Sequence, residues 1–340
     1  MLKVLHVGAK NYPPAHGGTE RVVYNIVNSI NDVDFYLLVE WEQPATDRIF
    51  VLPKGLSYSA KTTFIRKFAK THGIDIIHFH NEKYIPMALW LSLVFKRIVL
   101  TVHGVHFRSP KFSFINRVLF WLVDVTGTIF LPRMIYCCEF DEKAFSKYIF
   151  FRKTYFINNG TNISPVMQQP DNILYPDTYV YLGRVTPAKN VVRLVEAADQ
   201  KKIKLHIYGM LDKECPEYCE LVLSKIKQSE YVEYKGLVPF DQVFQTMIQY
   251  KAFLYITIME GLPLAVLEAA SCGMYLILSD IPHHTFLKFP EVTYVDVKHP
   301  DIPYPDQIAS TGLNRNHVLE HFSNKQMGEE YLKIYKSFKQ

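Results

Sequence analysis

Short unbroken apolar runs recur along this chain, separated by stretches whose apolar residues return every three or four positions. Residues 2–7 (LKVLHV) read as a buried strand. A loop rich in proline and glycine follows (NYPPAHGG), and residues 19–30 (TERVVYNIVNSI) then have helical spacing. Residues 34–39 predict a second strand, residues 64–71 a helix stopped by Gly73, and residues 74–79 (IDIIHF) and 98–102 (IVLTV) two more strands. Strands alternating with helices predict a parallel, doubly wound sheet. The pattern lapses near Asn158, where NNGTNISPVMQQPDNILYPD has no periodicity and reads as an interdomain linker. It then resumes: strands at 179–182, 204–208, 232–234, 252–256 and 275–278, with helices at 191–199 and 218–228. Two successive α/β units predict a bilobal protein with a cleft, and ligands at the carboxyl ends of the strands.

The length of 340 residues suits two domains. With 49% hydrophobic and 21% charged residues, each half can bury a full core without disulfides. Cys137, Cys138, Cys215, Cys219 and Cys272 contain no C-x-x-C pair, and their odd number leaves no complete disulfide framework, so a reduced, cytoplasmic compartment is expected. MLKVLHVG runs straight into a strand and lacks the basic-then-apolar order of a signal peptide. A membrane span needs about 18–20 uninterrupted apolar residues. The nearest approach, residues 118–138, is broken by Asp124, Gly127, Pro132 and Arg133 and predicts a buried or half-buried helix pair.

The net charge of +5 is unevenly spread. Residues 1–160 carry 20 basic and 12 acidic side chains, the remainder 18 and 21. A basic first half facing an anionic partner fits this balance. No Lys/Arg-rich run or nucleic-acid motif accompanies it, so nucleic acid is not expected. Within residues 61–70 (KTTFIRKFAK), Lys61, Arg66, Lys67 and Lys70 alternate with Phe64, Ile65 and Phe68. Arg108, Lys111, Phe112, Phe114, Arg117, Phe120 and Trp121 form a second basic and aromatic stretch. Two readings stand for each: a face lying on an anionic bilayer, or a solvated helix face backed by core aromatics.

Four loops that follow strands hold candidate chemistry. Gly17-Gly18 precede Thr19-Glu20 at a helix start, where glycine permits close approach and the helix end favours an anion. Thr101-Val102-His103-Gly104 place a histidine at a strand end. His78, His80 and His106 lie near it in sequence, but metal-ligand spacing and carboxylate or cysteine companions are missing, and no metal is expected. Gly183-Arg184-Val185-Thr186-Pro187-Ala188-Lys189-Asn190 join a forked and a point cation, both suited to a diphosphate. The most specific block runs from Glu260-Gly261-Leu262-Pro263 to Glu268-Ala269-Ala270-Ser271-Cys272-Gly273. Pro263 fits the first turn of a helix, and Glu268, in an apolar helical run, needs a partner such as a ribose diol. Glu260 suits sugar hydroxyls.

Together these residues resemble the family 4 retaining glycosyltransferases of GT-B fold, over nearly the whole chain and in the family's order. Asn159-Gly160, Ser279-Asp280-Ile281-Pro282 and the helix-like stretch 322–335 match lesser marks of the family. The resemblance implies two Rossmann-like domains: an acceptor-binding one at residues 1–160 and a sugar-nucleotide-binding one at 161–320. A closing helix at 321–340 would pack back on the first. It implies that Arg184 and Lys189 bind the donor diphosphate and stabilise the leaving group's charge. Glu268 would hold the ribose, and Glu260 with the amides of Gly261 and Leu262 the transferred sugar. His103 would contact that sugar, and Gly17, Gly18 and Gly183 would allow close approach. It further implies a UDP- or GDP-sugar donor, front-face transfer with retention, no metal or cofactor, and a glycan or lipid-linked acceptor at the cytoplasmic face of the plasma membrane, with Lys61, Arg66, Lys67 and Lys70 at an anionic surface. Asp32-Val33-Asp34 enter a strand and read as structural rather than as a metal site. The chain departs from the family at Asn162, where aspartate is usual, and at His283-His284-Thr285, where a basic–acidic pair is usual. The alternatives are a GT-B epimerase or phosphorylase, and a non-catalytic sugar-nucleotide sensor or scaffold.

Overall fold

The computed structural model describes residues 1–14, 17–108, 112–146, 154–168 and 170–338, which form two compact units. The first comprises Met1–Gly160 with Asn324–Gln340, the second Thr161–Ser323.

In the first unit the order is β1 (Leu2–Val7), α1 (Gly18–Ser29), β2 (Val33–Val39), β3 (Ile49–Val51), α2 (Tyr58–His72), β4 (Ile76–His80), α3 (Ile85–Ser92), β5 (Ile98–Val102), α4 (Phe114–Phe130), β6 (Arg133–Tyr136), α5 (Glu139–Ser146) and β7 (Tyr155–Phe156). The strands form one seven-stranded sheet in the order β3-β2-β1-β4-β5-β6-β7, every pairing parallel. Parallel strands covered on both faces read as unbroken apolar runs, which is why 2–7 and 98–102 were legible. Right-handed crossovers place α2 to α5 on one face and α1 on the other, and α2, α3, α4 and α5 touch in sequence. Gly73 ends α2 in the left-handed conformation, its N–H donating to the Ala69 and Lys70 carbonyls.

The second unit continues with β8 (Tyr175–Leu182), α6 (Val191–Lys201), β9 (Lys204–Tyr208), α7 (Pro216–Gln228), β10 (Val232–Gly236), α8 (Val243–Met247), β11 (Tyr250–Tyr255), α9 (Leu264–Ser271), β12 (Tyr275–Ser279), α10 (Pro282–Thr285), β13 (Val292–Val295) and α11 (Leu313–His321). Its six-stranded sheet runs β10-β9-β8-β11-β12-β13, again parallel. The final helix, α12 (Asn324–Lys336), belongs to the first unit and packs on α1. A Cβ added at Gly328 of α12 would lie 2.9 Å from the Ser29 Cβ, so glycine sets how closely the two helices approach. Tyr331 and Tyr335 bury their rings beneath this contact.

One sequence expectation needs correction, and for residues 61–70 the packing agrees with one of the two readings left open. The apolar run 118–138 is one helix followed by a strand: α4 ends at Phe130, Pro132 cannot continue it, and Arg133–Tyr136 go on as β6. The apolar side of α2 is core: Ile65 and Phe68 are buried and Phe64 packs against the same cluster, so this helix presents only its basic face outward. In the second basic and aromatic stretch, Phe112 and Phe120 pack edge to face 4.8 Å apart, while Lys111 lies outside the described residues. All five cysteines are free.

Candidate functional site

Both sheets reverse direction beside their first strand: β1 lies between β2 and β4, and β8 between β9 and β11. Crossovers leave such a strand in opposite directions, so the loops after it and after its later neighbour part and open a crevice at the strand ends. In the second unit those loops are the ones that follow β8 and β11, and they carry Gly183 to Asn190 and Glu260.

The loops are stitched together before any side chain meets. The Ile258 N–H donates to the Ala188 carbonyl at 2.9 Å. Gly183 N–H donates to Tyr208 O at 3.0 Å, and a Cβ on Gly209 (φ +148°) would sit 1.7 Å from Gly183 O, so the loops after β8 and β9 touch backbone to backbone. Lys189 closes a single 3₁₀ turn, Pro187–Lys189, and Asn190 follows in the left-handed conformation with its side-chain amide donating to Val297 O at 2.9 Å. That turn aims the Lys189 ammonium at the Glu260 carboxylate, with which it forms an ion pair, and it also donates to the Tyr255 hydroxyl at 2.8 Å. The side chains are 16% and 9% exposed, so the pair is almost fully desolvated. Burial alone would raise the Glu260 carboxyl. The Lys189 charge and hydrogen bond, the neighbouring His284 and the Tyr255 hydroxyl outweigh it, and Glu260 stays ionised below its ordinary value.

Three residues that sequence reading missed complete this corner. Tyr255, the last residue of β11, stacks on Tyr181 with ring centroids 5.5 Å apart. His284 is fully buried, and its Nδ1 donates to Ser279 O at 3.2 Å, which fixes the proton there; burial lowers it to about 4. Asp212, in the loop after β9, accepts from Arg184 Nη1 at 3.3 Å. Arg184 is otherwise solvent-facing, and such a half-exposed pair adds little stability; it orients the guanidinium. Pro263 sits one position earlier than expected, as the cap residue before Leu264 rather than inside the first turn. Glu268 is buried on α9, and Leu262 is buried just before it, with Gly261 half-buried.

In the first unit Gly17 caps α1 with φ +97°, and Gly18 opens the helix onto free space. The buried Glu20 carboxylate folds back here, accepting from Lys10 N–H at 3.1 Å and lying where a Gly17 Cβ would be. This helix start therefore already holds an anion of its own. His103, half-buried just past β5, has its Nε2 3.0 Å from His80 Nδ1 and its Nδ1 3.6 Å from Cys137 Sγ. His78 and His80 cluster with His6 of β1, whose imidazole nitrogens come within 4.8 Å of theirs; His106 instead pairs with Glu82.

The Glycosyl transferases group 1 family matches residues 167–285. The chain is 25% identical over 305 residues to a GDP-mannose:cellobiosyl-diphosphopolyprenol alpha-mannosyltransferase of Xanthomonas campestris, covering 83% of this chain and 79% of that protein. It is also 25% identical over 340 residues to the O-antigen biosynthesis glycosyltransferase WbnH of Escherichia coli, covering 94% and 95%. Among solved structures, the sucrose-phosphate synthase of Thermosynechococcus elongatus superposes with a TM-score of 0.83 at 15% identity, over 99% of both chains. Anabaena HepE in complex with UDP and glucose superposes with 0.80 at 16% identity, over 99% of this chain and all of that one. At such identities the structures speak for the fold.

Proposed function

Because the chain belongs to the family 4 glycosyltransferases of GT-B fold, we propose that it moves a sugar, with retention, from a nucleoside-diphosphate sugar to a lipid-linked glycan in surface polysaccharide or glycolipid synthesis. The observation that carries this reading is the desolvated Lys189–Glu260 pair at the point where the second sheet reverses. An ammonium and an ionised carboxylate side by side offer a counter-charge to a diphosphate and an acceptor to sugar hydroxyls.

In this reading the second unit holds the donor. Arg184 and Lys189 take the diphosphate, and Glu268 takes the ribose hydroxyls. Glu260 and the amides of Gly261 and Leu262 take the transferred sugar, and His103 keeps the role of sugar contact that the family resemblance implies. The bond from the anomeric carbon to the diphosphate oxygen breaks, and the charge left on that oxygen is met by Lys189 and Arg184. The acceptor hydroxyl attacks from the same face, and its proton passes to the departing phosphate oxygen, so neither a protein base nor a metal is needed. The test is thermal shift with UDP-, GDP-, ADP- and dTDP-sugars: one donor should raise the midpoint, and Arg184→Ala or Glu268→Ala should abolish the rise. No shift with any of them would reject the donor assignment.

A lipid-linked acceptor calls for a membrane-facing surface, and in this reading the exposed apolar face of α4 is that surface. Over its 17 residues, about 25 Å, Phe114, Ile115, Val118, Leu119, Leu122, Ile129 and Phe130 face solvent, the first two 77% and 71% exposed. No charge interrupts them: Arg117 folds onto Phe107 O and Asp124 is buried. Trp90, Leu93 and Val94 of the adjoining α3 region extend the patch, and Arg66, Lys67 and Lys70 stand exposed on α2 next in the same layer. A second copy of the chain docking here would bring like charges together, whereas an anionic bilayer satisfies both features. In this reading α4 carries most of the membrane contact, with α2 contributing charge. Ile115→Glu with Leu119→Glu should abolish binding to anionic phosphatidylglycerol vesicles and leave the donor shift intact. Wild-type protein that ignores such vesicles at low salt would reject this assignment.

A further inference from the structure

Four imidazoles converge in the first unit, and the proposed reaction uses only one of them. His6 on β1 pairs in register with His78 on β4, and His80, two residues on, points to the same side and pairs with Thr101 of β5. His103 lies two residues beyond Thr101. His78 is satisfied by the Tyr335 hydroxyl and the Thr101 hydroxyl, each at 2.7 Å. The other three form a line: His6 Nδ1 to His80 Nε2 at 2.7 Å, His80 Nδ1 to His103 Nε2 at 3.0 Å, and His103 Nδ1 to Cys137 Sγ at 3.6 Å. At the far end His6 Nε2 is buried with no partner.

All four rings are neutral. Burial lowers His6 to about 3 and His103 to about 4, and lowers His78 and His80 well below the usual histidine value, with neighbouring imidazoles adding to the effect. The ionisable groups around them are Cys137, which burial keeps a thiol, and the phenols Tyr331 and Tyr335, which burial keeps protonated. Among the described residues no carboxylate hydrogen-bonds to any of the rings.

A neutral imidazole carries one N–H, and each contact in the line needs one proton. Two arrangements meet both conditions. In one, every proton points from His6 toward His103, and the orphan His6 Nε2 is a bare lone pair. In the other, every proton points back, His6 Nε2 becomes a buried N–H with nothing to bond, and the thiol, a weak donor, must start the chain. An orphaned buried N–H is the costlier and rarer defect. We propose that His80, backed by His6, is a positioning residue that holds His103 in the tautomer protonated on Nδ1, with Nε2 closed by the His80 N–H. This rests on the reading of His103 as a contact of the transferred sugar. His103 then offers a neutral donor from a fixed nitrogen, held only by a poorly accepting thiol that a sugar oxygen can replace. A metal ion on His6, His78 and His80 would find the His6 Nε2 lone pair open, but it would need the His78 and His80 lone pairs that these hydrogen bonds already use.

The test is nitrogen-15 NMR of the full chain labelled on histidine, with His103 assigned by its loss in His103→Gln. The expected spectrum shows His103 protonated on Nδ1 and bare on Nε2, unchanged from pH 8 to 5.5. His80→Leu removes the donor, releases His103 to the Nε2–H form that free histidine favours, and lowers kcat for sugar transfer about tenfold, the worth of one buried hydrogen bond. His80→Asn, whose amide nitrogen sits where His80 Nδ1 does, restores both. His103 protonated on Nε2 in the wild type would overturn the proposal, and so would stoichiometric metal found in the purified protein with the His6 and His80 protons lost. Because the wild-type spectrum needs neither a foldable variant nor turnover, failure of the relay is separable from failure of the transferase reading.

Discussion

Replacing Lys189 with methionine keeps most of the side chain's volume and removes its charge. The Glu260 carboxylate, 9% exposed, is left with the Tyr255 hydroxyl and a neutral His284 as company. Breaking a buried pair on one side typically costs about 3–5 kcal/mol. The carboxylate has an escape, since it can take up a proton. At pH 7.5 that uptake costs about 4 kcal/mol from an ordinary glutamate value, and at pH 5 only about 1 kcal/mol. The loss should therefore be about 3–4 kcal/mol at pH 7.5 and shrink to about 1 at pH 5. The sign follows from linkage: Glu260 in the variant binds its proton more tightly folded than unfolded, so the variant gains on the wild type as pH falls. For a unit of this size each kcal/mol moves the melting midpoint by about 2–4 °C. Lys189→Met combined with Glu260→Gln removes both charges and should recover most of the stability while binding no donor. Thermal unfolding of wild type, single and double variants at both pH values decides it. A double variant as unstable as the single, or a deficit that does not change with pH, would refute the description of the pair as buried and mutually dependent.

Other outcomes follow from the same geometry. Lowering the pH from 7.5 to 5 should destabilise the first unit, because an unfolded histidine takes up a proton below about 6.5 while His6, His78 and His80 stay neutral when folded. Each contributes about 2 kcal/mol of loss, and a melting midpoint that moves by only a degree or two would contradict their burial. Gly209→Ala drives a Cβ to 1.7 Å from the Gly183 carbonyl at a φ of +148°, and should cost about 4 kcal/mol or more, seen in urea unfolding. Gly18→Ala meets nothing within 4 Å and should change stability by less than about 1 kcal/mol. Any loss of transfer in that variant would then report substrate passing close to the helix start.

The strands that line both sites were legible because central parallel strands are apolar on both faces. What escaped were the short strands β3, β6, β7 and β13, and helices such as α3 and α5; α4 was foreseen only in part, within the apolar run 118–138. Residues 85–92 are apolar nearly all round and have no 3.6-residue contrast, and the apolar residues of α4 are divided between core and solvent, so composition alone could not orient it. The loops bearing Arg184, Lys189 and Glu260 could be found because each follows a strand. Their partners could not: Asp212 and Tyr255 come from other strands, and His284 lies in a stretch that reads only as a departure from the family. The histidine line had a visible trace in the alternation of His78 and His80 in IIHFH. Its meaning depends on the β1–β4–β5 register, which no local pattern contains.

The central claim is retaining transfer from a nucleotide sugar to a lipid-linked acceptor, and its most direct test is the product. The full chain should be incubated with the donor that stabilises it and a diphosphopolyprenol-linked oligosaccharide in anionic vesicles, with no metal and a chelator present. Proton NMR of the isolated product should show one added sugar with the anomeric configuration of the donor. A product of inverted configuration, or no product until a divalent metal is supplied, would contradict the account.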